Sequence, residues 1–433
     1  MALHQADEQM GAYTEAVKSG LYAKKSGLVG KYDNVRKYWE DEITRHFLYP
    51  YILKLIEWKQ ERMQRLRIID LGCGSADGLE LLMGLRYKDA NLHGQEVELL
   101  TDEILGTYKG VDLNQDLLDQ AAGIYGSNPK IQFGIGDFCS GLPLEKDEKP
   151  YDLYFSSYGT SSHHNNDDTL IDLLADIAGR TEKYSVIVCD WLGRYSYEWQ
   201  TLWANNLEEN VNMDYVVSYI YEKEEREARR DELQHLTLRL MSREEASRVV
   251  QAASKKAGVE IKESYYFDRS ILTGRHMDTG DYNPHAQQIR VAVNSLHEMN
   301  TRTDFRDLLF NYVPKPEFDF VNQWFEYMQM AWNTLVHYTG RLLEAYDEEK
   351  EQFVEPLPEI PASYPNVLKY LMGRMKRIVE GVGWLSAGLP RENIIEEQLG
   401  YALRNLVMAL QEGKGRGHGL VGIYEVDKTG KHT

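Results

Sequence analysis

The stretch Ile68-Ile69-Asp70-Leu71-Gly72-Cys73-Gly74-Ser75-Ala76-Asp77-Gly78 reads as a strand that runs into a glycine-rich turn and opens a helix. An apolar pair, then a carboxylate, then glycines at alternate positions lets a backbone approach a ligand closely at the carboxyl edge of a parallel sheet. The turn also aims unpaired helix N–H groups at that ligand. The stretch therefore points to a nucleotide-like cofactor on an α/β fold. Dinucleotide sites want a third glycine three positions after the second. Here that position is Asp77, an acid that a pyrophosphate would repel.

Three more strand ends follow in order. Tyr108-Lys109-Gly110-Val111-Asp112-Leu113-Asn114 ends in an acid, Ile131 to Phe138 ends in Gly136-Asp137-Phe138, and Tyr151 to Gly159 carries Ser156-Ser157-Tyr158. A helix at about Thr169 to Gly179 and an apolar strand from Tyr184 to Asp190 come next. One Asp after one strand is ordinarily a helix cap or turn residue. The joint occurrence is what favours a cofactor site.

Asp70-x-Gly72-x-Gly74 resembles motif I of class I S-adenosylmethionine-dependent methyltransferases, and the later strand ends resemble that family's next motifs in its order. The resemblance spans roughly Ile68 to Arg275, with Ala76 where the family often has glycine. It implies a Rossmann-like, mostly parallel sheet of seven strands whose last strand is antiparallel, and S-adenosylmethionine as cofactor. The cofactor residues it implies are Asp70, Gly72, Cys73, Gly74, Asp112, Leu113, Asp137, Phe138 and Ser156. Asp112 would accept hydrogen bonds from both ribose hydroxyls, a task suited to an acceptor-only carboxylate. Asp137 would take the adenine amino group, with Phe138 flanking the ring. Cys73 reads as a small buried filler, not a reactive thiol. The separation of Asp70 from Asp112 exceeds the roughly 20 residues of such units, which fits an insertion around Tyr87 to Gly106.

With 433 residues, 42% of them hydrophobic, and a mean hydropathy of -0.52, the chain is expected to form a core plus an elaboration. No run approaches the roughly 18 apolar residues of a membrane span, and Met1 to Asp7 lacks the features of a signal peptide. Three scattered cysteines give neither a disulfide framework nor metal-ligand spacing. A reduced cytoplasmic setting and no membrane partner are expected. The net charge of -19 disfavours a nucleic-acid partner, because Lys223, Arg226, Arg229 and Arg230 are interleaved with Glu222, Glu224, Glu225 and Glu227. The glycine-rich run Gly413 to Gly419 is read as a flexible loop.

The expected organisation is a helical lid over 1–66, a core over 67–283, a helical insertion over 284–412 between strands six and seven, and a last core strand within 413–433. Tyr38 to Arg65 has helical spacing, with Pro50 marking a kink or a break. By the resemblance, the lid folds over the cofactor through Tyr32, Arg36 and Tyr38; a surface helix packed by its aromatics is the other reading. Ser242 and Glu245 form a capping box, Val259 to Phe267 reads as strand six, and Leu420 to Val426 as strand seven. Between them lie helices at Ala286 to Met299, Phe318 to Tyr346, Val367 to Val379 and Asn393 to Ala409. The stripe Phe320, Val321, Trp324, Phe325, Met328, Trp332, Leu335 and Val336 is what a buried helix face requires; a substrate wall or a homodimer face is the other reading.

The activity implied is methyl transfer to a small organic acceptor at oxygen, nitrogen or carbon. Such an in-line displacement asks the protein mainly to align the nucleophile, exclude water and, where needed, take a proton. His163 and His164 are the candidate bases, since imidazole titrates near neutrality; a histidine pair in a polar loop is the alternative. Adjacent side chains diverge on a strand or helix, so no shared metal is assigned. Tyr158, Trp191, Arg194, Arg275 and His276 are the candidate substrate residues, Arg275 as a bidentate anion holder; an ion-paired loop after strand six is the alternative. Two further functions stay open: a protein or peptide methyltransferase, and a non-catalytic S-adenosylmethionine-binding scaffold.

Overall fold

A computed structural model describes residues 14–18, 32–89, 94–145, 147–217, 221, 225, 228–274, 280, 282–287, 289–347, 349–350, 352–382 and 389–430. In chain order the strands are β1 (Leu66–Leu71), β2 (Arg86–Asp89), β3 (Gln95–Glu98), β4 (Leu105–Asp112), β5 (Ile131–Ile135), β6 (Leu153–Phe155), β7 (Tyr184–Gly193), β8 (Asn212–Val216), β9 (His235–Met241), β10 (Lys262–Arg269), β11 (Tyr346–Asp347), β12 (Gln352–Phe353) and β13 (Gly419–Asp427). The main sheet runs β5-β4-β1-β6-β7-β13-β10. Pairs among its first five members are parallel, whereas β13 lies antiparallel to both β7 and β10. Numbered by their place among these seven, the strands read 3-2-1-4-5-7-6, the order that the family resemblance implies.

The sequence explains why these segments become central strands. All ten residues of β7 are buried and β1 buries five of six, which is the near-continuous apolar run of a strand covered on both faces. The parallel registers Asp70 with Gly110, Asp112 with Ile135 and Phe155 with Val188 bring the strand ends to one edge. β2 and β3 pair as a hairpin, which accounts for the added length between Asp70 and Asp112. The helix Asp41–Gln60 continues through Pro50. Ile43, Leu48, Ile52, Leu55 and Ile56 are buried on it, and that packing offsets the backbone bond lost at the proline.

Helices Ile289–Leu296, Asp319–Glu344, Asn366–Gly381 and Glu396–Leu410 lie between β10 and β13 in the chain. Their buried side chains share one core with Val35, Trp39, Tyr195, Tyr197 and Trp203. Val321, Trp324, Phe325, Met328, Trp332, Leu335 and Val336 are all spent in it. The stripe is therefore not available as a homodimer face or a substrate wall; only Phe320 is exposed.

Two other expectations need correction. The Gly413 to Gly419 run is pinned: the N–H groups of Lys414, Gly415 and Arg416 donate to the buried Asp268 carboxylate at 3.1, 2.7 and 2.9 Å. A Cβ at Gly413 or Gly417 would lie 2.3 Å from the carbonyl oxygen of Tyr266 or Arg269, so glycine there serves close threading along β10. The antiparallel pair β8 and β9, which joins the sheet through β7, was not expected.

Candidate functional site

The turn after β1 is built on alternation. Gly72, Gly74 and Ala76 have φ of +69°, +52° and +68°, a conformation that glycine adopts freely and alanine only at some cost. A Cβ on Gly72 would lie 2.2 Å from Thr160 Cγ2, and one on Gly78 2.3 Å from Asp70 Oδ2. Gly78 thus lets the helix Asp77–Met83 sit directly on the strand it follows.

Asp70 is wholly buried under this turn and accepts a hydrogen bond from the Tyr108 hydroxyl at 2.7 Å. Burial pushes its carboxyl up to about 7, against the lowering effect of that bond. It supports the turn from behind, which differs from the direct cofactor contact expected of it. Cys73 is buried with its sulfur toward Gly110, and burial holds its thiol well above the usual range.

Asp112 ends β4 and accepts from the N–H groups of Gly74 at 2.8 Å and Asn114 at 2.9 Å. The turn's donor at Gly74 is thereby already met by a carboxylate. Leu113 beside it is half-buried. Asp137 accepts from the N–H of Cys139 at 2.9 Å and from the Ser140 hydroxyl. Phe138 is buried, edge-on to the His164 ring at 5.3 Å.

The segment Tyr32 to Asp41 lies over this edge. The Tyr32 hydroxyl donates to Asp77 at 2.8 Å, while Arg36 pairs with Asp41 at 2.8 Å and stands 3.5 Å from Asp77. Arg36 begins a π-helical turn, Arg36–Glu40, a feature frequent at functional sites. Its guanidinium lies 3.6 Å from the centre of the Tyr158 ring. Tyr158 has a φ of +57°, a conformation that persists only where surroundings over-determine it. Its N–H donates to Asp190 at 2.7 Å and its hydroxyl to Asp41 at 2.8 Å. Asp190 in turn takes two nitrogens of Arg269 at 3.2 and 3.0 Å. Nothing local in the sequence marks this ion pair between distant strands.

The remaining candidates scatter. Ser156 is buried with its hydroxyl 2.8 Å from that of Ser161. His163 ends a 3₁₀ turn, Thr160–His163, and His164 is buried with Nδ1 at 3.1 Å from the Thr169 hydroxyl. Burial pulls both imidazoles down to about 4, so they are neutral and weakly basic at neutral pH. His164 lines a small buried cavity with Phe138, Ser156, Leu170 and Leu173. Trp191 also points into the core, with Ile69, Leu71 and Leu420, not toward a substrate. Arg194 is buried and donates to the carbonyls of Leu207 and Glu209 at 2.8 Å. It is a clamp on a loop, not a substrate residue. Arg275 and His276 lie outside the described residues.

Among the described residues no group of three or more His, Cys, Asp or Glu side chains could hold a metal ion, and no helix is long and apolar enough to cross a membrane. The fold and the turn define a class: a sheet of the class I methyltransferase type with a carboxylate-braced glycine turn. No family model and no curated protein sequence matches the chain. Solved structures do show similarity. A methyltransferase dependent on S-adenosylmethionine from Clostridium acetobutylicum ATCC 824 is 13% identical, covering 54% of this chain and 86% of that one, with a TM-score of 0.35. Magnesium protoporphyrin IX methyltransferase from Synechocystis PCC 6803, with bound SAH, is 9% identical over 63% and 94%, with a TM-score of 0.34. CalS10, a SAM-bound amino pentose methyltransferase from Micromonospora echinaspora, is 14% identical over 55% and 88%, with a TM-score of 0.30. Scores this low leave the fold resting on the strand order itself.

Proposed function

We propose that the chain binds S-adenosylmethionine at the carboxyl edge of its sheet and transfers the methyl group to a small organic acceptor. The carrying observation is the Asp112 carboxylate seated on the Gly74 N–H. That arrangement suits a nucleoside, whose ribose hydroxyls need an acceptor, and not a pyrophosphate. When bound, the cofactor supplies a methyl group already activated by its sulfonium. Asp112 and Leu113 would hold the ribose end, with Asp137 and Phe138 at the adenine. The glycine turn and Arg36 would serve the amino-acid end.

The chain's own task is then alignment and exclusion of water. Tyr158 lies three residues past β6 and touches the covering segment through Asp41 and Arg36. Enclosure by Tyr32 to Asp41 favours a small acceptor over a polypeptide. His163 is kept as a candidate base, and the reduced, cytoplasmic setting as part of this reading; the three cysteines are unpaired.

Calorimetric titration with S-adenosylmethionine and S-adenosylhomocysteine tests the binding. A metabolite-extract screen for release of S-adenosylhomocysteine then tests turnover. Binding of both ligands and release with a low-molecular-weight fraction is the expected result. Binding without turnover on any fraction points to the scaffold reading, and no binding overturns the proposal.

A further inference from the structure

We infer that Arg290, in the helical insertion, is a positioning residue for the cofactor site, and that it acts by holding the Tyr32 to Asp41 segment down on the glycine turn. This rests on the proposed cofactor binding. Every nitrogen of the Arg290 guanidinium is engaged. Nε and Nη2 grip Asp33 at 2.7 and 2.8 Å, and Nη1 donates to Glu40 at 2.7 Å and to the Thr273 carbonyl at 2.5 Å. A planar fork fixes two carboxylates at a set separation in a way that an apolar contact does not. Asp33 adjoins Tyr32, and Asp33 and Glu40 bracket Arg36, so the residues that reach Asp77 alternate along the chain with those that reach Arg290.

The same helix, Ile289–Leu296, and the turn after it add further ties. The N–H of Val35 donates to Asn294 Oδ1 at 2.8 Å, and Asn294 Nδ2 to Asp33 at 3.0 Å. Trp39 Nε1 donates to His297 Nε2 at 3.1 Å. On its other side the segment reaches Asp77 through Tyr32 and Arg36 and Tyr158 through Asp41, while the Ser270 hydroxyl donates to Glu40 at 2.8 Å. The insertion therefore holds the covering segment, and the covering segment holds the turn.

Retention of a ligand under such a cover shows in its dissociation rate. Stopped-flow displacement of S-adenosylhomocysteine is measured for the wild type, Arg290→Met, Arg290→Lys and Met375→Ala. Met375 is buried in the same core on another helix, Asn366–Gly381, and makes none of the bonds to the segment named above, so its truncation controls for loss of stability. The expected result is dissociation faster by about fivefold or more in Arg290→Met. Arg290→Lys should lie nearer the wild type, and Met375→Ala should be unchanged at a comparable loss in thermal midpoint. A smaller effect of Arg290→Met, or an equal one from Met375→Ala, overturns the inference while leaving cofactor binding intact. Should Arg290→Met not fold, Asp33→Asn is read by the same criterion. A wild type that binds no S-adenosylhomocysteine overturns this inference and the proposed function together.

Discussion

Two buried ionisable residues near the turn pull stability in opposite directions as pH changes. Asp70 is held near 7 in the folded chain by burial, above its unfolded value, so the native state binds the extra proton between about pH 4 and 7 and stability falls as pH rises through that window. The full effect is about 4 kcal/mol. His164 has its imidazole lowered to about 4, so its contribution is complete above about pH 6.5 and is lost as pH falls toward 4, at most about 3 kcal/mol. Urea denaturation from pH 4.5 to 8 should show Asp70→Asn gaining on the wild type toward alkaline pH, and His164→Gln gaining toward acid. A pH-independent difference in either series would contradict the assigned burial. Gly72→Ala places a Cβ against Thr160 in a left-handed conformation, and its unfolding free energy should drop by roughly 2–5 kcal/mol. At this scale the alternating glycines were legible in the sequence. The role of Asp70 was not, because an acid facing a ligand and an acid propping a turn occupy the same position.

At the scale of elements, the local signals held where the physics is local. The capping box of Ser242 and Glu245 is present with both bonds, and Ser242→Ala should cost about 1 kcal/mol by chemical denaturation. β1, β7 and β13 follow apolar runs and were readable for that reason, and β10 was readable from the Gly258 that ends the helix before it. β8 was not, since its alternation of polar and apolar residues spans only five positions and its pairing with β9 is decided by the fold around it. The Gly413 to Gly419 run misled because glycine reads the same whether it grants freedom or close approach. Here Asp268 decides the matter. Asp268→Ala would leave three backbone donors of that run without their acceptor and should cost at least about 3 kcal/mol, read as a shift in the urea midpoint. Asp268→Asn, keeping one oxygen, should fall between.

Across the whole molecule, the succession β1, β4, β5 and β6 was legible because each of these strand ends carries its own chemical mark. The partnership between amino-terminal segment and insertion was not, because Asp33, Glu40 and Arg290 are ordinary charged residues until the fold brings them together. The insertion shares its core with Val35, Trp39, Tyr195, Tyr197 and Trp203, so it is not a separate unit resting on the sheet. Calorimetric melting should therefore give one cooperative transition, coincident by tryptophan fluorescence and far-ultraviolet dichroism. Two resolved transitions would show that the shared core does not couple them.

The place of β13 has a consequence for biosynthesis. This strand fills the slot between β7 and β10, yet it leaves the ribosome only after all four helices of the insertion. Until then β7 and β10 have no neighbour on their facing edges, and bare edges invite pairing with other chains. Assembly of the sheet is thus a late, long-range event, slow by its topology, and the nascent protein must pass through a stage that depends on protection from its own kind.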